Sequence, residues 1–374
     1  MNNTGRIVTF LLIVLSVWTL MHVYVLVRLW TLPLAPGTLY HATLVAIAAL
    51  LWISFPLGQI FSRAFGRASV PLEIAGSVWV GVLFLLVVWL FAADLATGFG
   101  WLLPGATRSA RAIAVGIAGV LSLVALAQGL RAPVVRSLEV PIRGLRPEHD
   151  GLVIVQVTDI HVGPLRSERW IEDRVTQIEA LKPDLIAMTG DLVDHDATRS
   201  EEMVPLLRRL KAPLGVWAVT GNHEFYAGVD RSLQVFRDAG FNVLRDAAAE
   251  VAPGLVLAGV DDLTARRQFS VNGHAVDRAL EGRPPGATVY LCHSPLEVER
   301  AASLGVALML SGHTHAGQIW PFTHVVQLAY PYVAGRFAVN GMTLIVSRGT
   351  GVWGPPMRLF RPSEVLRITL RRAA

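Results

Sequence analysis

Four apolar runs of membrane-spanning length fill the first 130 residues and constrain the fold more than any other feature of the chain. They cover residues 7–27, 39–61, 74–93 and 112–130. Each is close to the roughly 20 residues that an α-helix needs to cross an apolar core about 30 Å thick. Buried helices of a soluble domain are the alternative, but four such runs in succession are hard to cover with polar surface. We therefore predict an all-α four-helix transmembrane region over residues 1–130.

The distribution of arginine predicts how these helices are oriented. With four spans, the N-terminus, the second loop and everything after the fourth span lie on the same side of the membrane. That side carries Arg6, Arg63, Arg67, Arg131, Arg136, Arg143 and Arg146, whereas the other side carries Arg28, Arg108 and Arg111. Because cytoplasmic segments are enriched in Lys and Arg, we predict a multi-pass protein of the inner (cytoplasmic) membrane with a cytoplasmic C-terminal domain.

Charge and cysteine content narrow the classes of partner. The net charge of +5 comes almost entirely from arginine, since Lys182 and Lys211 are the only lysines. No basic stripe interleaved with aromatic residues occurs, so nucleic acid is not an expected partner. Cys292 is the only cysteine, which rules out an internal disulfide and fits a reducing compartment.

The chain changes character after the fourth apolar run. Residues 131–150 are rich in Pro, Arg and Gly, and we predict a juxtamembrane linker there with a short strand at 137–142. Strands predicted at 152–157, 185–189 and 215–220 then alternate with helices at 170–181, 203–210 and 233–239, a pattern typical of βαβ units. Further strands are expected at 255–260, 288–292, 308–311, 343–347 and 365–370, with a helix at 296–303. We therefore predict one α/β domain over residues 151–374.

Five short polar motifs follow apolar runs in this domain. In chain order they are Asp159-Ile160-His161, Gly190-Asp191-Leu192-Val193-Asp194, Gly221-Asn222-His223-Glu224, Cys292-His293 and Gly312-His313-Thr314-His315. Because open α/β sheets bind ligands at the carboxyl ends of their strands, we expect these motifs to converge. Imidazoles, carboxylates and an amide oxygen without a thiolate suit Mn, Fe or Zn, and two such metals would form a hydrolytic clamp. One such motif alone is weak, but we know no packing requirement that produces all five.

These five motifs resemble those of the calcineurin-like metallophosphoesterase superfamily, and the resemblance covers roughly residues 150–374. It implies a four-layered αββα sandwich with two divalent metal ions at the strand ends. It also implies that Asp159, His161, Asp191 and His315 hold one metal and that Asp191, Asn222, His293 and His313 hold the other. Asp191 would then be the shared ligand. His223 would bind no metal and would lie near the leaving-group oxygen.

The chemistry that this resemblance implies is hydrolysis of a phosphoester by metal-bound hydroxide, with His223 as the general acid. Asp194 and Glu224 are expected either to orient ligands or to serve as a turn residue and a helix-start carboxylate. Arg348 follows a strand in the Gly-rich turn 347–351 and is a candidate for binding a phosphate oxygen. A surface or structural role for Arg348 is the alternative. We assign no role to His149, His195, His274 and His324.

Residues 310–319 and 347–356 resemble the bacterial membrane-associated branch of the superfamily, of which a UDP-2,3-diacylglucosamine pyrophosphatase of lipid A synthesis is a relative. Ala316 departs from the Gly often found there. We therefore expect cleavage of a phosphoester or pyrophosphate bond in a lipid or lipid-linked nucleotide. The apolar segment 319–337 is predicted to be a lid or an interfacial patch, with a covered loop as the alternative. Two other functions stay open: a phosphodiesterase for soluble or cyclic nucleotides, and a membrane sensor or transport module that binds a ligand without turning it over.

Overall fold

The computed structural model describes residues 3–32, 38–163, 166–271 and 273–373. Its helices are α1 (Asn3–Trp30), α2 (Thr38–Phe65), α3 (Val70–Ala96), α4 (Pro104–Gly129), α5 (Glu168–Glu179), α6 (Ala197–Glu202), α7 (Val204–Leu207), α8 (Asn222–Tyr226), α9 (Val229–Asp238), α10 (Leu263–Gln268), α11 (Ala275–Leu280), α12 (Val298–Ser303) and α13 (Thr323–Ala329). Its strands are β1 (Val134–Ile142), β2 (Val153–Val157), β3 (Leu185–Thr189), β4 (Val216–Val219), β5 (Asn242–Val243), β6 (Ala247–Ala252), β7 (Leu255–Gly259), β8 (Ala287–Leu291), β9 (Leu308–Ser311), β10 (Gly335–Val339), β11 (Met342–Val346) and β12 (Glu364–Arg372). The chain forms two compact units, a helical unit that ends at Leu130 and also contains Gly354–Leu359, and a sheet unit that comprises the rest.

The helical unit contains four helices that are long and apolar enough to cross a membrane, as predicted. The candidate spans are Leu12–Trp30, Thr38–Gly58, Val70–Ala96 and Pro104–Gly129. Many of their apolar side chains point outward, and Leu50 is 68% exposed, as expected of side chains that face lipid. The side chains of Arg6, Arg63 and Arg67, on which the predicted orientation partly depends, lie outside the part of the chain that the structure describes.

A charged cluster joins three of these helices. Arg28 of α1 and Arg111 of α4 both pair with the buried carboxylate of Asp94 on α3, at 2.5 and 2.8 Å. The Tyr24 hydroxyl also donates to Asp94 over 2.8 Å. An ionised carboxylate inside an apolar bundle is stabilised by such pairing, so the cluster holds α1, α3 and α4 together.

Two six-stranded mixed sheets form the sheet unit. The first has the order β1-β12-β2-β3-β4-β5, and its strands β2 to β5 run parallel. The second has the order β10-β11-β9-β8-β7-β6, and β11, β9, β8 and β7 run parallel. Parallel neighbours require crossover connections, which the helices between them supply. Each sheet therefore collects the carboxyl ends of four parallel strands at one edge.

Alternating side chains of the strands separate three apolar cores. Ile154 of the first sheet and Leu257 and Leu310 of the second belong to one core, which lies between the sheets. Val155 faces the opposite way and joins a core with Ile171 of α5. The outer face of the second sheet packs on α10, α11 and α12 in the third core. The layers are thus helix, sheet, sheet and helix, which confirms the predicted αββα sandwich.

Residues 131–150, for which a linker was expected, contain the edge strand β1 of the first sheet. This strand is 9 residues long and pairs in parallel with β12, from Val134 opposite Glu364 to Ile142 opposite Arg372. It includes the strand predicted at 137–142 and begins before it. The structure therefore begins the sheet unit at Arg131, where the sequence had suggested a linker. The pairing partner lies at the far end of the chain, so no local pattern signals it.

Candidate metal centre

The residues predicted as ligands all follow the carboxyl ends of strands, and both sheets contribute. Asp159 and His161 follow β2, Asp191 follows β3, Asn222 follows β4, His293 follows β8, and His313 and His315 follow β9. Six of them are buried, and His313 is half-buried. The two sheets therefore bring the five motifs to one place, as the position of each motif at a strand end predicts.

One group of side chains consists of Asp159, His161 and His315. The Nε2 atoms of the two histidines are 3.1 Å apart, and Asp159 Oδ1 lies 3.3 Å from His315 Nε2. One ligand atom from each residue falls within 4.8 Å of the others. Two imidazole nitrogens and a carboxylate oxygen that converge at a buried position are a donor set for a divalent metal.

A second group consists of Asp191, His293 and His313. His293 Nδ1 lies 2.8 Å from the carbonyl oxygen of Thr189, which can only accept, so Nδ1 carries a proton. His293 Nε2 faces Asp191 Oδ2 at 3.1 Å and His313 Nδ1 at 3.3 Å. Because a carboxylate oxygen cannot donate, a proton or a metal ion must lie between His293 and Asp191. Burial and the nearby His293 lower the pKa of His313 to about 3, which leaves it neutral, as a ligand must be.

Asp191 stands between the two groups. Its Oδ2 atom lies 3.1 Å from His293 Nε2 and 3.7 Å from His161 Nε2. Burial alone would raise the pKa of Asp191, but the imidazoles of His293 and His223 outweigh it and hold that pKa well below its usual range. One carboxylate can therefore serve both groups in its ionised form.

Asn222 places an amide oxygen near the candidate ligands. Among the described residues, its buried Oδ1 atom accepts no hydrogen bond. Buried acceptors normally accept a hydrogen bond, so an oxygen without one has the property expected of a metal ligand. The donor set and its orphaned oxygen fit two divalent metal ions.

The backbone around the candidate ligands is strained. Asp159, His161, Asp191, His313 and His315 all have a positive φ, between 48° and 70°. Residues with a Cβ rarely adopt this conformation, and it clusters at functional sites where the surrounding structure enforces it. Glycines allow the loops to approach closely: a Cβ on Gly221 would meet Asp191 Oδ1 at 2.1 Å, and one on Gly312 would meet Asp159 Oδ2 at 2.3 Å.

His223 lies beside both groups of candidate ligands and belongs to neither of these two groups. Its backbone N–H donates to Asp191 Oδ1 over 2.9 Å, and its Nδ1 lies 3.2 Å from the carbonyl oxygen of Asp194. Burial lowers the pKa of His223, but the carboxylates of Asp191 and Asp194 outweigh it and raise that pKa to about 9. The side chain is therefore anchored through Nδ1, and its pKa favours a protonated ring.

Asp194 and Glu224 contact the candidate ligands and the backbone next to them. Asp194 Oδ1 lies 2.8 Å from His195 Nδ1, 3.2 Å from His223 Nδ1 and 3.6 Å from His161 Nδ1. The fully buried Glu224 accepts hydrogen bonds from the backbone N–H groups of Asp191, Val193 and Gly221. Asp194 thus places a carboxylate among three imidazoles, and Glu224 both starts α8 and ties it to the Asp191 loop.

Three further residues lie near the site: Arg348, for which the sequence left two roles open, and His195 and Tyr330, to which it assigned none. The Arg348 guanidinium, 22% exposed, lies 3.8 Å from Glu364, and its turn borders Asp159 because Gly351 N–H donates to the Asp159 carbonyl. His195, to which we assigned no role, has its Nδ1 2.8 Å from Asp194 Oδ1; its position next to Asp194 in the sequence is the local signal that points to it. The Tyr330 hydroxyl lies 2.7 Å from His313 Nε2, and no local pattern singles it out within segment 319–337.

Comparisons with known proteins agree with this geometry. A family model described as calcineurin-like phosphoesterase matches residues 152–317, which include every candidate ligand. A protein of Danio rerio named transmembrane protein with metallophosphoesterase domain is 30% identical over 351 residues, covering 87% of this chain and 80% of that protein. The protein of the same name from Bos taurus is 35% identical and covers 70% of this chain and 62% of its own length. An uncharacterized metallophosphoesterase of Aquifex aeolicus (strain VF5) is 36% identical, and the match covers 60% of this chain and 87% of that protein. The Danio rerio match spans more of the chain than the sheet unit could supply, so the similarity extends into the helical unit.

Proposed function

This chain belongs to the calcineurin-like phosphoesterase family, and we propose that it is a membrane-anchored, dinuclear-metal hydrolase that cleaves a phosphoester or pyrophosphate bond in a lipid or lipid-linked nucleotide. The single observation that carries the proposal is the position of Asp191, whose one carboxylate faces imidazoles of both ligand groups. A bridge of this kind is what two metal ions a few ångströms apart require.

We assign the ligands as the family resemblance implies. Asp159, His161, Asp191 and His315 would hold one metal, and Asp191, Asn222, His293 and His313 would hold the other. When bound, two Mn, Fe or Zn ions would neutralise the phosphate charge and lower the pKa of a water between them. The orphaned Oδ1 of Asn222 supports the second ligand set.

His223 is proposed to donate the proton that the leaving-group oxygen needs. Its Nδ1 is committed to Asp194, so Nε2 is the atom left to face a substrate. A ring anchored at one nitrogen and protonated at the other has the geometry of a general acid.

Metal reconstitution tests whether the chain is a metal-dependent hydrolase. The detergent-purified full chain, loaded with Mn, Fe or Zn, should hydrolyse bis-p-nitrophenyl phosphate. No turnover with any of the three metals would contradict it and favour a sensor or transport module. Comparison of UDP-2,3-diacylglucosamine, phosphatidyl substrates and cyclic nucleotides then tests the substrate class, and a preference for cyclic nucleotides would contradict a lipid substrate.

An exposed apolar face on α13 supports a lipid substrate. Val325 and Leu328 of α13 and Phe322, the residue just before it, are 52%, 88% and 41% exposed, and their spacing of three residues puts them on one side of the helix. We call these three residues the α13 face. The α13 helix ends next to Tyr330, whose hydroxyl contacts His313, so the face is close in sequence to the candidate metal centre.

Removal of the α13 face should lower the activity on lipid substrates and leave the activity on soluble substrates unchanged. The double substitution Val325→Ser and Leu328→Ser should lower kcat/KM for a vesicle-bound lipid substrate about tenfold, since burial of one such side chain contributes about 1.5–3 kcal/mol. Hydrolysis of bis-p-nitrophenyl phosphate should not change. Val271→Ser, at an exposed valine outside α13, is the matched control, and an equal loss on both substrates would contradict a role in lipid binding.

Arg348 is proposed to bind a phosphate oxygen of the substrate. Arg348→Ala should raise KM roughly 10–100-fold with a smaller effect on kcat, because a hydrogen bond to a charged group contributes about 1.5–3 kcal/mol. Arg136→Ala is the control, since Arg136 Nη1 also contacts Glu364, at 3.2 Å. If both variants behave alike, Arg348 acts only through Glu364 and the proposed contact with substrate is wrong.

The side of the membrane is proposed from the arginine bias, seven residues against three. We propose a multi-pass protein of the inner (cytoplasmic) membrane with the hydrolase in the cytoplasm. A C-terminal reporter that is active only outside the cytoplasm should give no signal. A positive signal would reverse the assignment.

A further inference from the structure

We propose that Tyr330 is a positioning residue of the metal centre, which selects the tautomer of His313 so that Nδ1 is the nitrogen that binds metal. This inference rests on the metal centre proposed above. Tyr330 lies outside the residues that the family model matches, and it belongs to none of the five motifs.

The two nitrogens of His313 face different surroundings. Nε2 lies 2.7 Å from the Tyr330 hydroxyl, and the two rings pack edge to face with centroids 4.9 Å apart. Nδ1 instead points into the ligand group, 3.3 Å from His293 Nε2. A neutral imidazole carries one proton, so the partner at Nε2 determines which nitrogen keeps a lone pair.

A chain of hydroxyl groups sets the direction of this hydrogen bond. Ser294 Oγ donates to Asp262 Oδ2 over 2.5 Å, and Asp262 Oδ1 accepts from Ala265 N–H, so both carboxylate oxygens act as acceptors. With its own proton committed to Asp262, Ser294 must accept from Thr264, whose Oγ1 lies 2.7 Å away.

The same reasoning continues to the histidine. Thr264 Oγ1, having donated to Ser294, accepts from the Tyr330 hydroxyl at 3.2 Å. Tyr330 has then used its only proton and must accept from His313 Nε2–H. The buried carboxylate of Asp262 thus fixes His313 as the Nε2–H tautomer, through Ser294, Thr264 and Tyr330. Outer-shell partners of this kind hold a ligating ring and raise its basicity.

Loss of the Tyr330 hydroxyl should weaken one metal site and spare the other. In the full chain in detergent, Tyr330→Phe should raise the Kd of one of two bound Mn²⁺ ions about 10–100-fold, the range typical for outer-shell partners. Equilibrium dialysis with metal analysis measures this directly. At saturating Mn²⁺, kcat with bis-p-nitrophenyl phosphate should return close to the wild-type value, because the hydroxyl itself touches no reacting atom.

Two further variants make the test specific. Tyr332→Phe removes a hydroxyl that donates to Glu299 on the surface over 2.9 Å and should leave both Mn²⁺ affinities unchanged. Thr264→Val interrupts the hydroxyl chain and should weaken the same Mn²⁺ ion as Tyr330→Phe. If the wild-type chain binds two Mn²⁺ ions and Tyr330→Phe binds both equally well, this inference alone is overturned. Equal weakening of both ions in Tyr330→Phe would also overturn it, and a wild-type chain that binds no divalent metal would overturn the proposed centre as well.

Discussion

Asp191→Asn should abolish most of the hydrolase activity and reduce the metal content from two ions per chain to one or none. The amide keeps the size of the side chain and an oxygen that can accept from the His223 N–H. It loses the negative charge that both ligand groups share. Loss of charge stabilisation worth about 4 kcal/mol corresponds to a roughly 1000-fold lower kcat/KM. Metal analysis and bis-p-nitrophenyl phosphate turnover measure the two effects on one sample.

The matched control for this variant is Asp196→Asn. Asp196 begins α6 and accepts from Thr198 N–H, a role that asparagine also fills. We expect Asp196→Asn to keep two metals and wild-type turnover. An Asp191→Asn chain that also retained two metals and normal kcat would show that Asp191 does not bridge them.

His223→Asn should lower kcat about 10²–10⁴-fold for substrates with a poor leaving group, the usual contribution of a general acid. Asparagine can still donate to Asp194 from the position of Nδ1, but it cannot supply a proton from the position of Nε2. For aryl phosphodiesters with acidic phenols the loss should be less than about tenfold, because such oxygens depart without a proton. The dependence of kcat on the pKa of the leaving phenol should therefore become steeper.

Metal content separates this effect from damage to the site. Since His223 is proposed to bind no metal, His223→Asn should retain both ions. His324→Gln is the control, because His324 is exposed and its Nδ1 lies 3.2 Å from Gln327 rather than near a candidate ligand. A loss of equal size for every leaving group, or a loss of metal, would argue against a general acid at this position.

Patterns within a few residues were enough to anticipate much of this protein. Four apolar runs predicted the helices α1 to α4, because length and composition alone decide whether a helix can cross a membrane. The strand ends that carry Asp159, Asp191, Asn222, His293 and His313 were identifiable since an apolar run before a polar motif is a local signal. Their convergence followed from the rule that parallel strands align their carboxyl ends.

Elements that depend on distant partners were not predictable in this way. The strand β6 is rich in alanine and β10 is an edge strand with exposed residues, so neither carries a strong strand pattern. The role of β1 was hidden because its partner β12 lies at the other end of the chain. The same holds for the contacts of Asp194 with His161 and His223, which lie about 30 residues away from it along the chain.

By itself, the sequence determined which residue types stand at the strand ends and that they follow a membrane-spanning region, because these features depend on neighbours along the chain. Only the tertiary structure decided which atoms meet. It brought the carboxylate of Asp191 between imidazoles of both ligand groups, and it put the hydroxyl of Tyr330 against His313. Within the described part of the chain, it left the amide oxygen of Asn222 without a hydrogen-bond donor. The physical reason is that contacts across the two sheets arise from packing between residues far apart in sequence, and the spacing of neighbouring residues does not specify that packing.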